Sequence, residues 1–276
     1  MIISDLQLDL FLKDIYNLYG DDFIHYNYST LKRRINVHAI KLHIDNFDDY
    51  IKSILYDKHL YKDMFYHFSI NVTEFFREPE QLKILRDTVL PYLNSYNHIK
   101  IWCAGCSSGE SPYSLAMILD EENMLHKTQI YATDFNNRIL AHAKDGLFDI
   151  ENFKQSYTNY ELSGGKKQFK EYFIKKGKFY QIKHYLKDHI LFCNHNLATD
   201  SVINEFQLII CKNVIIYFDE ILKNRVIKLF NDSLEANGFL ILGESEYLPQ
   251  EFENNLVKYI PHSQIYHKKI EGKING

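Results

Sequence analysis

The feature that most constrains this chain is a change of hydrophobic period near residue 98. Before it, apolar residues recur at helical spacing. After it, short apolar runs alternate with amphipathic stretches. "IKIWCAG" is a β-branched and aromatic run that reads as a buried strand. A helix follows from about Glu110 to Leu119, with Pro112 tolerated in its first turn. "TQIYATD" is a second strand and "NNRILAHAKDGLF" a second helix; "HILFCNHNL" and "FQLIICKNV" are further strands. "DEILKNRVIKLFNDSLEANG" reads as a helix ended by Gly238, and "FLILGES" as another strand. Strands alternating with helices predict a parallel sheet covered on both faces.

Residues 1 to about 70 predict a small helical domain. "SDLQLDLFLKDIYNLYG" opens on Ser4, an N-cap residue, and stops at Gly20. "STLKRRINVHAIKLHI" carries Leu31, Ile35, Ala39 and Leu42 on one side, with Arg33, Arg34 and Lys41 on the other. "NFDDYIKSILYDKHLYKDMFYHFSI" repeats the pattern through Phe47, Ile51, Ile54 and Leu55. One later interval breaks the alternation. Residues 164–184 hold the turn signals Gly164-Gly165 and Lys176-Gly177, and their flanks "YFIK" and "FYQIKH" predict a hairpin. The expected layout is a helical domain over 1–75, an α/β domain over 76–276, and a β subdomain inserted at about 164–186.

The segment "IWCAGCSSGESPYSLAMIL" admits two chemistries. Cys103 and Cys106 form a C-x-x-C, but there is no second such pair, and a structural zinc site needs about four ligands. Cys193, His195 and Cys211 are the other sulfur and imidazole groups in reach of that idea. Cys103 lies in an apolar strand, where cysteine serves as a small hydrophobe. No metal is expected there. The alternative is a strand, a glycine turn and a helix start, which aims unpaired backbone N–H groups at a ligand. Gly105 would let the backbone approach that ligand closely. The next strand ends in Asp134, 24 residues after Glu110, placed to accept hydrogen bonds from both ribose hydroxyls.

The turn is not G-x-G-x-x-G, and Glu110 is unwelcome beside a pyrophosphate. A carboxylate there suits a ligand with a ribose, no phosphate and cationic groups. S-adenosylmethionine (AdoMet) has an adenosine, a sulfonium and an ammonium. The net charge of −4 argues against general nucleic-acid binding. No apolar run approaches the ~18 residues of a bilayer span, and "MIISDLQLDLFLKDIY" lacks the basic flank of a signal peptide. The four cysteines are too few and too irregular for a disulfide framework. A cytoplasmic protein is expected.

Several segments together resemble the chemotaxis-receptor methyltransferase family, CheR. "NVTEFFRE" (71–78) resembles the segment that precedes that family's methyltransferase domain, and "AGCSSGESPYS" (104–114) its A-A-x-S-T-G-E-E-P-Y-S motif. "ATDFNNRILAHAKDGLF", "HNL" (195–197), "CKNVIIYFD" (211–219) and "GESE" (243–246) are similar to later signatures, in order. The resemblance implies a helical domain, then a Rossmann-like AdoMet-dependent methyltransferase domain with an inserted antiparallel β subdomain. It implies methyl transfer to receptor glutamate side chains, forming methyl esters and S-adenosylhomocysteine. By the same resemblance, AdoMet contacts fall on Asn71, Thr73, Arg77, Glu110, Asp134, Asn196, Leu197 and Asn213. Tyr217, in "NVIIYF", is the expected group nearest the transferred methyl.

Lys32, Arg33, Arg34 and Lys41 form the expected docking face for an acidic helical receptor region, and the β subdomain is a candidate dock for a receptor peptide by strand addition. Two departures stand out: Ser111 replaces the second Glu of G-E-E, and Lys212 an Arg. The family's H-S-E reads Glu244-Ser245-Glu246. A methyltransferase with another acceptor, or a non-catalytic AdoMet-binding scaffold, are the alternative readings.

Overall fold

The computed structural model describes residues 1–68, 73–149 and 153–269. The chain forms two compact units. One is Met1–Asn71 with Ile216–Val226; the other is Val72–Ile215 with Ile227–Gly276. Residues 216–226, expected in the second domain, group with the first. Within that unit, Asn27 N–H donates to the Tyr217 carbonyl at 2.7 Å and Asp219 N–H to the His25 carbonyl at 2.9 Å.

The helical unit contains α1 (Asp5–Tyr19), α2 (Tyr28–Lys41), α3 (Phe47–Tyr56) and α4 (Lys58–Phe68). Ser4 and Gln7 close α1 with a reciprocal capping box, and Gly20 ends it at φ 81°. Leu8, Phe11, Leu12, Ile15, Ile35, Tyr50, Ile54 and Met64 fill the core. The helical pattern that begins at Asn46 is carried by two helices, α3 and α4. Asp57 leaves the helical region at φ −121° and ψ 106°, and its carboxylate accepts the His59 N–H at 2.7 Å, starting α4 afresh.

The α/β unit opens with α5 (Pro79–Ile84), a π turn (Leu85–Val89) and α6 (Leu90–Leu93). Then come β1 (Ile99–Ala104), α7 (Glu110–Glu121), β2 (Thr128–Asp134) and α8 (Asn137–Asp145). The inserted part holds β3 (Leu147–Asp149), α9 (Phe153–Leu162), β4 (Phe173–Lys176), β5 (Phe179–Ile182) and α10 (His184–Lys187). β6 (Ile190–Asn194), β7 (Phe206–Cys211), α11 (Glu220–Ser233), β8 (Leu234–Leu242), β9 (Leu256–Lys258) and β10 (Ile265–Lys268) complete the order.

The main sheet runs β6-β2-β1-β7-β8-β10-β9. Pairing is parallel from β6 through β8 and antiparallel at β10 and β9. The sheet is therefore mixed, not all parallel as the alternation suggested. β1 and β7 are neighbours although β2 through β6 intervene in sequence, so the strand order reverses between them. Open α/β sheets bind ligands at that switch point, beyond the carboxyl ends of the strands.

The hairpin expected from the Lys176-Gly177 turn is present as β4 and β5. A third strand, β3, pairs with β5 through Leu147↔Gln181. These residues were expected to close the helix α8. Instead Gly146, at φ 63°, ends α8 and releases the chain into the small sheet. Gly238 likewise does not terminate a helix. α11 stops at Ser233, and Gly238 lies in β8, where the register slips between Phe206↔Leu234 and Leu208↔Phe239. Asn237 at φ 65° absorbs the extra residues as a bulge. No described helix is long and apolar enough to cross a membrane.

Candidate AdoMet site

β1 delivers the chain to Gly105 at φ 73°, Ser107 at φ 49° and Gly109 at φ 99° before α7 begins. Three left-handed residues in five fold this loop tightly over the strand ends. The N–H groups of Gly105 and Cys106 both donate to the Thr133 carbonyl at 2.8 Å. This fixes the loop to the end of β2. Asp134 follows at once. Its carboxylate accepts from Ser107 N–H and Asn136 N–H, each at 3.0 Å. Burial pushes its carboxyl above the ordinary carboxylate range, and the backbone donors partly offset this. His195 N–H donates to the Asp134 carbonyl at 3.2 Å, bringing the end of β6 alongside.

Glu110 stands at the first turn of α7, where the macrodipole favours an acid. Ser108 Oγ donates to its carboxylate at 2.6 Å. Burial raises this carboxyl too. Thr73, Arg77 and Glu110 line one cavity of 630 Å³, whose apolar wall includes Phe75, Phe148, Phe153 and Phe179. One guanidinium, the Thr73 and Ser156 hydroxyls and the carboxylates of Glu74, Glu110 and Asp149 beside an aromatic wall match an amino acid head group and a cation. They do not match a phosphate, which would meet Glu110. AdoMet fits this donor set. Sequence reading missed the aromatic wall, because Phe148 and Phe179 belong to the small sheet. It also missed His142, which lines the cavity from α8.

Asn213 has φ 60° and lies just beyond β7. Its side-chain amide donates to Glu78 at 2.9 Å. Lys212, with most of its side chain covered, donates to the Arg77 carbonyl at 2.7 Å and pairs with Glu78 at 3.1 Å. Burial lowers its pKa, opposed by Glu78. Glu246 accepts the N–H groups of Asn213, Val214 and Gly243 at 2.8, 2.8 and 2.7 Å. Glu246 thus holds the loop after β7, a role that the bare "GESE" pattern did not reveal.

Asn196 and Leu197 follow β6. The Asn196 side chain accepts from Ala198 N–H at 2.9 Å, and Leu197 is buried. Neither these two, nor Asn213, Gly105 or Asp134, lines the cavity that holds Thr73, Arg77 and Glu110; they sit at the ends of β6, β7, β1 and β2. Asn71 lies outside the described residues.

Tyr217 is half-buried in a short 3-10 turn, Ile215–Tyr217, and belongs to the helical unit. Of the basic residues, Arg33 is exposed, while Lys32 pairs with Asp5 at 2.5 Å and Lys41 with Asp63 at 2.7 Å. Two of the four charges expected to face a partner are thus already compensated. Cys103 and Cys106 are buried, and burial pushes the Cys103 thiol up to about 12.

The CheR methyltransferase SAM-binding domain model matches residues 71–263, and the CheR all-alpha domain model residues 6–69. The chain belongs to the CheR methyltransferase family. Its second unit is an AdoMet-binding methyltransferase domain. Among CheR relatives, a putative methyltransferase Cher3 of Pseudomonas putida is 38% identical over 248 residues, covering 88% of this chain and 89% of that one. A chemotaxis protein methyltransferase of Listeria innocua is 34% identical, covering 90% and 93%. Another, from Borreliella burgdorferi, is 31% identical, covering 88% and 89%. The glycopeptide N-methyltransferase MtfA complexed with sinefungin aligns with 62% of this chain and 50% of its own at 9% identity and TM-score 0.37.

Proposed function

We propose that this CheR-family chain transfers the AdoMet methyl group to glutamate side chains of a chemoreceptor or related signalling protein, forming methyl esters. The observation that carries the reading is the cavity shared by Thr73, Arg77 and Glu110 in a chain of this family. AdoMet, when bound, supplies a methyl group already activated on a sulfonium.

The chain's own residues have little acid–base work to do. A glutamate of ordinary pKa, about 4.3, is ionised at neutral pH and needs no general base. The protein must orient it and strip its water. Arg77 would hold the methionyl carboxylate, and Glu110 would face the cationic end of the amino acid moiety. Asp134 accepts from the ribose hydroxyls. Asn71, Asn196, Leu197 and Asn213 complete the cofactor contacts, and Gly105 keeps the floor of the loop free of side chain. Tyr217 orients the incoming carboxylate. Holding both partners in reactive geometry contributes at most roughly 7–11 kcal/mol.

Arg33 and its neighbours Lys32, Arg34 and Lys41 steer an acidic helical partner, and the β subdomain is open to a peptide partner. The test is a labelled-AdoMet assay on an acidic receptor fragment. Label released as methanol by mild base supports an ester. Label that survives base points to nitrogen and another acceptor. AdoMet binding with no transfer to any fragment favours a scaffold.

A further inference from the structure

The helical unit holds a cluster that methyl transfer does not use. α2 supplies His38, and α4 supplies Asp63 and His67. The latter two are four residues apart, so they project from one face of α4. His38 Nε2 lies 3.3 Å from Asp63 Oδ2, and His67 Nε2 lies 3.8 Å from the same oxygen. One ligand atom from each residue falls within 4.8 Å of the other two. A tetrahedral ion with bonds of about 2.0–2.1 Å separates its ligands by about 3.3 Å. The His38–Asp63 edge already has that length. His67 and Asp63 are each about 30% exposed, at 28% and 30%, so small rotations of these two close the remaining gap.

The surroundings suit a ligated imidazole. His38 is fully buried, and its Nδ1 lies 2.8 Å from Tyr50 Oη. Without an ion, Nε2–H donates to Asp63 at 3.3 Å; an ion at Nε2 requires the proton to sit on Nδ1, where the Tyr50 hydroxyl oxygen can accept it. Metal-bound histidines are oriented by such an outer hydrogen bond.

Lys41 Nζ stands 2.7 Å from Asp63 Oδ2 and 3.2 Å from His67 Nε2. A cation is thus already drawn to this position, at the end of a flexible stem that is 54% exposed. We propose that His38, Asp63 and His67 bind a divalent transition ion of the zinc, nickel and copper group, in exchange for the Lys41 ammonium. Two imidazoles and one carboxylate select these ions over calcium or magnesium, which prefer all-oxygen ligands. The lysine keeps its proton and swings into solvent. The ion ties α2 to α4 and returns one positive charge to the surface beside Arg33 and Arg34.

The test is calorimetric titration of the full chain, stripped of metal, with Zn(II), alongside the visible spectrum on adding Co(II). One saturable equivalent is expected, with a Co(II) spectrum changed by protein ligands. Asp63→Asn and His67→Ala should each weaken binding at least about tenfold. Both positions are partly exposed, and far-ultraviolet circular dichroism confirms that the variants stay helical. Lys41→Met should tighten binding several-fold, because the competing ammonium is gone. Absence of saturable Zn(II) binding would overturn the proposal. So would undiminished affinity in both ligand variants, weaker binding in Lys41→Met, or loss of binding in Cys193→Ser, which would move the site to that half-buried thiol.

Discussion

Gly105 is where the geometry makes the sharpest demand. A methyl group placed on it would stand 2.5 Å from Cγ2 of Val214, and its backbone sits at φ +73°. Gly105→Ala meets two separate costs. A left-handed L-residue costs about 1–2 kcal/mol. Overpacking against a stiff β-branched side chain costs about 1–3 kcal/mol. The substitution should therefore destabilise the α/β unit by about 2–5 kcal/mol. Gly105→Ala with Val214→Ala removes the overlap and leaves the backbone strain, so the double variant should regain about 1–3 kcal/mol relative to additivity.

The assay is urea unfolding followed by tryptophan fluorescence. The chain has one tryptophan, Trp102, and it is completely buried on β1, so the signal reports the α/β unit alone. A loss smaller than about 1 kcal/mol in the single variant would refute the left-handed requirement. Strict additivity in the double variant would refute the contact with Val214.

Glu110→Gln keeps the shape and the bond from Ser108 but removes the charge. AdoMet affinity measured by calorimetry should fall roughly 10- to 150-fold, the worth of one charge-assisted hydrogen bond. Burial raises the Glu110 and Asp134 carboxyls, so the ligand-free fold takes up protons more readily than the unfolded chain. Its stability should rise as pH falls through these raised values and stop rising below the ordinary carboxylate range; Glu110→Gln should flatten that rise in the Trp102 assay. Tyr217→Phe should cut turnover and leave AdoMet affinity near normal, and equal losses in both would remove Tyr217 from the acceptor site. Arg33→Glu with Arg34→Glu should raise the KM for an acidic receptor fragment in a steady-state assay, with little change for AdoMet; an unchanged KM would make the stripe ordinary surface.

The parts legible in the sequence are those coded by contiguous residues. Ser4, Gln7 and Gly20 bound α1 because caps act within a turn. The run "IKIWCAG" and the glycine loop after it announced β1 and the start of α7. The Lys176-Gly177 turn announced the hairpin.

What escaped depends on partners far away in the chain. Asp57 splits a continuous helical pattern by capping with its own side chain, against a periodicity that carried on across it. Gly238 stops no helix, since pairing with β7 draws Leu234–Leu242 into the sheet before it. β3 is only three residues long and owes its existence to β5. Glu110 and Asp134 could be read from their places after β1 and at the end of β2; Glu110 lines the cavity, whereas Asp134 holds the backbone of Ser107 and Asn136. The aromatic wall from the small sheet, and the support from Glu78 and Glu246, could not.

Glu246 carries a consequence for how the protein is made. Its carboxylate binds backbone groups 33 and 32 positions earlier, at Asn213 and Val214. A nascent chain that has extruded β1, β2, β6 and β7 still lacks that anchor. The rim that contains Asn213 can set only after β8 and the following residues emerge from the ribosome. A polypeptide truncated before residue 246 should therefore leave the Asn213 and Val214 N–H groups without this carboxylate and the loop after β7 unanchored.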